Sequence, residues 1–150
     1  MNALVNEWIQ KAQFVKLKGF SKSARASTLT NMMSATEKRL SEHGIDSTIF
    51  ETEQILSHVL SVSRHQLYLD VDRELTSSQA QQIEQMVARR CRREPLQYIL
   101  CTTEFFGLDI ECTKAALIPR PETELLIEAV IKLAKNFSAP RVLELGTGTG

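Results

Sequence analysis

The chain has 150 residues, 43% of them apolar, with 18 basic and 18 acidic side chains. This composition supports a globular core, and the zero net charge gives no reason to expect direct binding to nucleic acid. Three cysteines without a Cys-x-x-Cys pair argue against a disulfide framework and against a metal site. No apolar run reaches the roughly 18 residues of a membrane-spanning helix. A soluble, cytoplasmic monomer is therefore expected.

Residues 1–28 read as an N-terminal extension with an amphipathic helical pattern surrounded by lysines. Three interpretations are open for it: an extra docking helix, a misassigned start codon, or an organelle-targeting peptide. The last would move the protein from the cytoplasm to mitochondria. The apolar residues that carry the pattern are Leu4, Val5, Trp8, Ile9, Ala12 and Val15.

Residues 29–93 predict an all-helical domain with short connections. The first helix begins at Leu29 and ends at His43-Gly44, and the last helix ends before Pro95. Later helices start at a Ser or Thr followed three residues on by Glu or Gln, in the pairs Thr48 with Glu51, Ser63 with Gln66, and Thr76 with Gln79. The predicted apolar stripes are Leu29, Met32, Met33, Thr36 and Leu40; Ile55, Leu56, Val59 and Leu60; and Ala80, Ile83, Met86, Val87 and Cys91.

A basic run closes this helical segment, with Arg89, Arg90, Arg92 and Arg93 followed by Glu94. We interpret it as a solvated face near a helix C-terminus, where positive charge is favourable. A contact surface for a ribosome-associated partner is the alternative. The histidines at 43, 58 and 65 lack a carboxylate or serine at a diagnostic spacing, so they are predicted to be surface or packing residues.

Residues 94–114 predict a β-hairpin bridge, because aromatic and β-branched residues replace the helical pattern. The expected strands are Gln97 to Leu100 and Thr103 to Phe106, separated by two residues that include Cys101. Gly107 is expected at the far edge of the hairpin. Cysteine tolerates positive φ less well than glycine, which makes the turn at Cys101 unusual.

After residue 115 the pattern is a helix followed by a strand and a glycine-rich loop. The helix follows Pro119-Arg120-Pro121 and extends to about Phe137, and the strand covers Arg141 to Leu145. The chain then ends in Gly-Thr-Gly-Thr-Gly at 146–150. Such a loop lets the backbone approach a nucleotide-like ligand closely, but it also serves dinucleotides, S-adenosylmethionine or a tight turn alone. Glu144 either orders this loop or contacts its ligand.

Four motifs occur in a specific order and spacing. They are Pro-Leu-Gln-Tyr-Ile-Leu at 95–100, Glu-Phe-Phe-Gly at 104–107, Leu-Ile-Pro-Arg-Pro-Glu-Thr-Glu at 117–124 and Leu-Glu-Leu-Gly-Thr-Gly-Thr-Gly at 143–150. With them, the chain from about Leu29 onward closely resembles the family of peptide chain release factor N(5)-glutamine methyltransferases. Cys101 stands where that family usually has glycine, and Cys112 where it has another small or apolar residue.

The resemblance implies an α plus α/β fold: an N-terminal helical bundle, a β-hairpin bridge, and over residues 115–150 the start of a Rossmann-like class I methyltransferase domain, cut off in its cofactor loop. It implies that S-adenosylmethionine is the cofactor and that the protein substrate is the glutamine of the Gly-Gly-Gln motif in release factors. The residues that match the family's cofactor loop are Gly146, Thr147, Gly148, Thr149 and Gly150.

The resemblance also indicates substrate-binding candidates. Phe105 and Phe106 would line the glutamine pocket, because a planar amide packs against an aromatic face, or they would fill the joint between domains. Arg120, Glu122 and Thr123 belong to the family signature, or they serve as a helix start.

The family's catalytic Asn-Pro-Pro-Tyr string is absent from the 150 residues, so no catalytic residue is expected among them. A ribosomal-protein glutamine methyltransferase, a non-catalytic module that docks on release factors and a nicotinamide-dependent enzyme are the alternatives. Residues from 115 onward are expected to be marginally stable without a partner, because an isolated strand leaves its backbone unpaired.

Overall fold

The computed structural model describes residues 28–149, so the predicted pattern of the N-terminal extension lies outside the described residues except for Thr28. Within 28–149 there are six helices and two strands: α1 (Leu29–Glu42), α2 (Thr48–Leu60), α3 (Arg64–Leu69), α4 (Ser77–Cys91), α5 (Leu96–Leu100), β1 (Thr102–Phe105), β2 (Leu108–Glu111) and α6 (Glu122–Ala134). None of these helices is long and apolar enough to cross a membrane.

Helix α1 confirms its prediction closely. Thr28 is the N-cap, and its side chain accepts a hydrogen bond from the backbone N–H of Asn31. The helix stops at His43, and Gly44 follows with a φ of +67°, the left-handed conformation that glycine adopts without strain. The buried residues of α1 are the five predicted ones, Leu29, Met32, Met33, Thr36 and Leu40.

Two of the three predicted capping boxes are present. Ser63 with Gln66 begins α3, and Thr76 with Gln79 begins α4. The box predicted at Thr48 and Glu51 is wrong, because Ser47 is the N-cap of α2 and makes no side-chain cap hydrogen bond. Glu51 instead receives two hydrogen bonds from Arg90 on α4. The carboxylate that would have reached back to the helix start is therefore used between helices.

The hydrophobic core lies among α1, α2 and α4, with α3 and α5 at its edges. The apolar stripes predicted for α2 and α4 contribute to it, with Val59, Ala80, Met86 and Cys91 only partly buried. Truncating one of its large side chains would cost roughly 2–5 kcal/mol. The core residues without solvent exposure are Leu40, Ile55, Leu56, Leu67 and Ile83.

The hairpin is shifted along the chain from its predicted place. Residues 97–100 belong to helix α5, whose apolar side chains Leu96, Ile99 and Leu100 are buried. Their spacing suits a helix face, and Pro95 suits a helix start. The antiparallel strands are β1 and β2, with Phe105 opposite Leu108.

The hairpin turn consists of Phe106 and Gly107, both with positive φ, at +51° and +73°. Positive φ at both positions is the requirement of the tight two-residue turn. Cys101 has a φ of +61° as well, but it caps α5 and does not form the hairpin turn.

The segment after residue 115 is formed only in part. Helix α6 confirms the helical prediction, yet none of its residues is buried. Residues 141–145 form no strand, and the sheet of the described residues contains only β1 and β2. A strand needs a neighbour to pair its backbone groups, and none lies beside 141–145 within the described part. The prediction for residues 115–150 was a helix followed by a strand, and the described residues contain the helix, α6, but not the strand.

Candidate functional site

The hairpin turn is bound to the start of α6. The backbone N–H of Phe106 donates a hydrogen bond of 2.8 Å to Oε1 of Glu124. A carboxylate acceptor makes this a charge-assisted bond, which is stronger than one between neutral groups. Two of the sequence motifs, at 104–107 and 117–124, therefore meet in the structure.

The three substrate-site candidates have different surroundings. Phe105 is half-buried in β1, whereas Phe106 is 38% exposed at the turn. Arg120 is exposed, and its side chain makes no hydrogen bond or ion pair with residues 28–149. Its carbonyl accepts a hydrogen bond from the N–H of Thr123 at 2.9 Å, so the backbone of Arg120 starts the helix.

The glycine-rich loop is joined to the other end of the hairpin. Thr149 donates its hydroxyl to the carbonyl of Glu111, the last residue of β2, at 2.5 Å. Glu124 holds the turn end of the same hairpin, about 10 Å away along β2. The structure thus brings the loop and the α6 motif to one hairpin, but not to one point.

Gly146 and Gly148 have φ values of +79° and +67°, which favour glycine. A Cβ added at either position would meet no atom within 4 Å. The loop is exposed up to Gly148, and Gly150 lies outside the described residues. Glu144, also exposed, makes no side-chain hydrogen bond among the described residues.

The basic run is an ion-pair network between elements, so its interpretation as a solvated face is wrong for Arg89 and Arg90. Arg90 on α4 makes two hydrogen bonds with Glu51 on α2, at 2.6 and 3.0 Å. Arg93 donates to the carbonyl of Gly44, at 3.0 Å. Of the four arginines, Arg92 is the one that agrees with the solvated-face interpretation: it is exposed, and its side chain has no partner within residues 28–149.

Arg89 and Glu94 connect α4 to the hairpin segment. Arg89 binds both carboxylate oxygens of Glu94, at 2.8 and 2.9 Å, and the carbonyl of Tyr98 on α5. Lys114, just beyond the hairpin, lies 3.2 Å from the same carboxylate. The hydrogen bonds from Arg89, opposed by burial and reinforced by Lys114, lower the pKa of Glu94 to about 2. This carboxylate stays charged and holds the base of the hairpin to the helical domain.

A second cluster surrounds Glu53, which is buried in α2. Arg64 donates from Nε at 2.7 Å and from a second nitrogen, and the hydroxyl of Tyr68 donates to the other carboxylate oxygen. Burial acts to raise the pKa of Glu53, but the hydrogen bonds from Tyr68 and Arg64 and the charge of Arg64 outweigh it and lower the pKa. Sequence reasoning missed this cluster, since the partners lie 11 and 15 residues from Glu53 with no motif to connect them.

The outer side of this cluster borders a surface cleft. The guanidinium of Arg64 lies over the ring of Phe50, 5.3 Å from its centroid, in a cation–π arrangement. Phe50 also lines a cleft of about 420 Å³ between the start of α2 and the α4–α5 connection. The other residues that line it are Ser47, Glu51, Arg90, Arg93, Pro95, Leu96 and Gln97.

The histidines at 43, 58 and 65 are exposed, as surface residues would be. Within residues 28–149, no group of three or more His, Cys, Asp or Glu side chains is placed to hold a metal ion.

Comparison with known proteins identifies the helical part. Residues 31–100 match the family model described as the PrmC N-terminal domain. This match covers α1 through α5 and ends before the hairpin.

Curated relatives extend the similarity toward the C-terminal end. The chain is 40% identical over 123 residues to a release factor glutamine methyltransferase of Geobacter sulfurreducens, covering 82% of this chain and 43% of that protein. Identity to the protein of the same name from Fusobacterium nucleatum is 34% over 138 residues, 91% of this chain and 39% of the relative. The chain thus spans about two fifths of the length of these relatives. Its residues 31–100 match the PrmC N-terminal domain model, and the chain is similar to the N-terminal part of release factor glutamine methyltransferases.

Proposed function

We propose that this chain is the N-terminal part of a methyltransferase that transfers a methyl group from S-adenosylmethionine to the side-chain amide of a glutamine in peptide chain release factors. The observation that carries the proposal is the 40% identity over 123 residues to a protein of that name. The proposed target is the glutamine of the Gly-Gly-Gln motif, and the expected compartment is the cytoplasm. Release factors are the expected protein partners.

We propose a division of labour along the chain. The helical segment 29–93 recognises the substrate protein, the segment 94–114 is the bridge, and residues 115–150 begin the cofactor-binding domain. The ion pairs of Glu94 with Arg89 and Lys114 support this arrangement, because they fix both ends of the bridge against α4. The role of residues 1–28 stays open between docking and targeting.

The residues present in the loop fit a cofactor that approaches the backbone. Gly146 and Gly148 have the positive φ typical of such loops, and the space beside each is open. Gly146, Thr147, Gly148, Thr149 and Gly150 would hold S-adenosylmethionine, which supplies an electrophilic methyl group when bound. The hydrogen bond from Thr149 to Glu111 supports this role, because it ties the loop to the hairpin.

The role of this part of the chain toward the substrate would be to position the glutamine amide, not to activate it. The lone pair of an amide nitrogen is delocalised, so the nitrogen is a poor nucleophile and correct orientation supplies much of the rate. Phe105 and Phe106 would pack on the planar amide, and Arg120 would contact the substrate from the start of α6. The bond between Phe106 and Glu124 supports this role because it fixes the turn that carries the aromatic side chain.

For the 150 residues alone we propose binding without turnover. They contain no Asn-Pro-Pro-Tyr string, which the resemblance assigns to catalysis. They do contain a helical segment with its own buried core, which suits docking on a release factor.

The test compares two proteins on two substrates. The product of the complete reading frame and the 150-residue chain are each incubated with methyl-labelled S-adenosylmethionine and either a purified release factor or a ribosomal protein with a methylatable glutamine. We expect the complete product to label the release factor and the 150-residue chain to bind it without labelling. Preferential labelling of the ribosomal protein would favour the alternative substrate, and no labelling by the complete product would contradict the proposed reaction.

A further inference from the structure

Two of the three cysteines lie opposite each other at the base of the hairpin. The strand register pairs Thr102 with Glu111, and the next residues outward are Cys101 and Cys112. The N–H of Cys112 donates to the carbonyl of Cys101 at 3.0 Å, so the two residues are joined directly beyond the end of the strand register. A disulfide requires Cα atoms roughly 4.4–6.8 Å apart, and a direct backbone hydrogen bond between two residues brings them close to that range.

The two thiols differ in their access to solvent. Cys101 is exposed, Cys112 is only 2% exposed, and both are free. Burial raises the pKa of the Cys112 thiol, and the nearby Cys101 raises it further. In such a pair, the exposed thiol can react with a disulfide in solution to form a mixed disulfide. The buried thiol can then displace the bound group and form the intramolecular disulfide.

The position of Cys101 adds an independent argument. It caps α5 with a φ of +61°, a conformation that costs a side-chain-bearing residue free energy and that glycine adopts freely. Retaining a strained residue points to a use for its side chain. Among the described residues, the cysteine joined to Cys101 by a backbone hydrogen bond is Cys112.

We propose that Cys101 and Cys112 form a dithiol site that is oxidised to a cross-strand disulfide by low-molecular-weight disulfides such as glutathione disulfide. The Cys101 thiolate attacks one sulfur of glutathione disulfide, and one glutathione leaves as thiolate. The Cys112 thiolate then attacks the Cys101 sulfur and releases the second glutathione. The protein loses two electrons and two protons, and glutathione disulfide is reduced to two glutathione thiols.

The disulfide would close a ring around the whole hairpin, since residues 101–112 include β1, the turn and β2. Phe105 and Phe106 lie inside this ring. Oxidation would therefore restrict the mobility of the hairpin without adding a contact elsewhere. A reducing compartment keeps both thiols free, so the disulfide forms when the surroundings become oxidising and is reversed when they are reducing again.

The experiment uses the 150-residue chain, treated with glutathione disulfide and then alkylated. Trypsin leaves both cysteines in one peptide, residues 94–114, because no Lys or Arg lies between Glu94 and Lys114. We expect this peptide two hydrogen masses lighter and unalkylated, while Cys91 accepts the alkylating reagent. Cleavage after Glu104 should leave the two halves joined until a reductant is added.

Single cysteine variants distinguish a specific Cys101–Cys112 disulfide from non-specific oxidation of the three cysteines. Cys91→Ser should form the same disulfide, whereas Cys112→Ser should stop at a glutathione adduct on Cys101. The proposal is overturned if the unaltered chain keeps glutathione on Cys101 with Cys112 open to alkylation, or if Cys91 joins either partner. It is also overturned if Cys101→Ser leaves Cys112 reacting with glutathione disulfide as fast as before, because the exposed thiol would then have no part in the exchange.

Discussion

At the scale of single residues, Cys101 illustrates what a sequence can and cannot predict. Cysteine in place of the glycine usual in the family that the chain resembles made a hairpin turn here unusual, and the structure has a φ of +61° at Cys101. The element was wrong, because the position caps α5 and the hairpin turn lies at Phe106 and Gly107. A short apolar segment such as 97–100 fits a strand and a helix equally well by composition, so only its burial against the core decides.

Replacing Cys101 with glycine should raise the free energy of unfolding by about 0.5–1 kcal/mol, because relief of the left-handed strain exceeds the added flexibility of the unfolded chain. Urea denaturation under reducing conditions measures the change. Cys91→Gly, at the last residue of helix α4, is the matched control and should lower stability, because Cys91 has no left-handed strain to relieve and packs against the core. A destabilised Cys101→Gly variant would show that the side chain of Cys101 contributes more to stability than its conformation costs.

Thr52 is a fully buried residue whose hydroxyl has no hydrogen-bond partner among the described residues. Because an unsatisfied buried hydroxyl costs free energy, Thr52→Val should stabilise the chain by about 1 kcal/mol. The same replacement at half-exposed Thr48 should change little. Equal or lower stability of Thr52→Val in thermal unfolding would indicate that this hydroxyl is solvated or paired in solution.

At the scale of elements, ion pairs that no sequence motif predicted join helix to helix and connect the helical bundle to the hairpin segment. The basic run was visible in the sequence, but its partners Glu51 and Glu94 belong to separate segments, so pairing depended on how α2 packs against α4. The helix starts at Ser63 and Thr76 were predicted because a capping box is local. Two of the three local capping signals were correct, whereas contacts between distant segments were not predictable.

Glu94 should make stability depend on acid pH. Its pKa is lowered from 4.5 to about 2 in the folded chain, so its contribution is fully present above pH 4.5 and is lost as the pH falls toward 2. Glu94→Gln should therefore cost roughly 1–2 kcal/mol at neutral pH, a figure reduced for solvent screening, and the cost should shrink toward zero near pH 2. Urea denaturation of the Glu94→Gln variant and the unaltered chain across this pH range tests the prediction.

The control for Glu94→Gln is Glu42→Gln, in an exposed pair with Lys38, which should have almost no effect on stability. A cost of Glu94→Gln that does not change with pH would contradict the lowered pKa of Glu94.

Glu124 should protect one backbone amide in the hairpin turn. Glu124→Ala removes the acceptor for the N–H of Phe106, and hydrogen exchange of that amide should accelerate roughly tenfold. Glu124→Gln keeps an oxygen acceptor and should lose less protection, while Glu122→Ala at the exposed start of α6 should leave the amide unchanged. Exchange at Phe106 that is insensitive to Glu124→Ala would separate the hairpin from the α6 motif.

At the scale of the whole molecule, burial divides the chain unevenly. The helical segment encloses a core, whereas most large apolar residues after 115 are exposed, with Leu125 at 68%, Leu143 at 84% and Leu145 at 87% exposure. Further strands of a methyltransferase domain would cover such residues in the longer protein that we propose. The sequence predicted the helical core well because its periodic stripes are local, and it overpredicted the strand at 141–145 because strand formation depends on neighbours.

Limited proteolysis should therefore remove residues after about 115 first and leave the helical core resistant. Leu56→Ala, which opens a cavity at a fully buried site, should abolish this resistance by costing roughly 2–5 kcal/mol, whereas Leu143→Ala at an exposed site should not. Cleavage within α1, α2 or α4 as early as within 115–149 would contradict a self-sufficient helical domain.

The most direct measurement of the central claim is methyl transfer from labelled S-adenosylmethionine to a purified release factor by the product of the complete reading frame, with mass spectrometry to locate the label. The account predicts one methyl group on the glutamine of the Gly-Gly-Gln motif and no transfer to a release factor in which that glutamine is replaced by alanine. Undiminished labelling of the alanine variant, or no labelling of either protein, would contradict it.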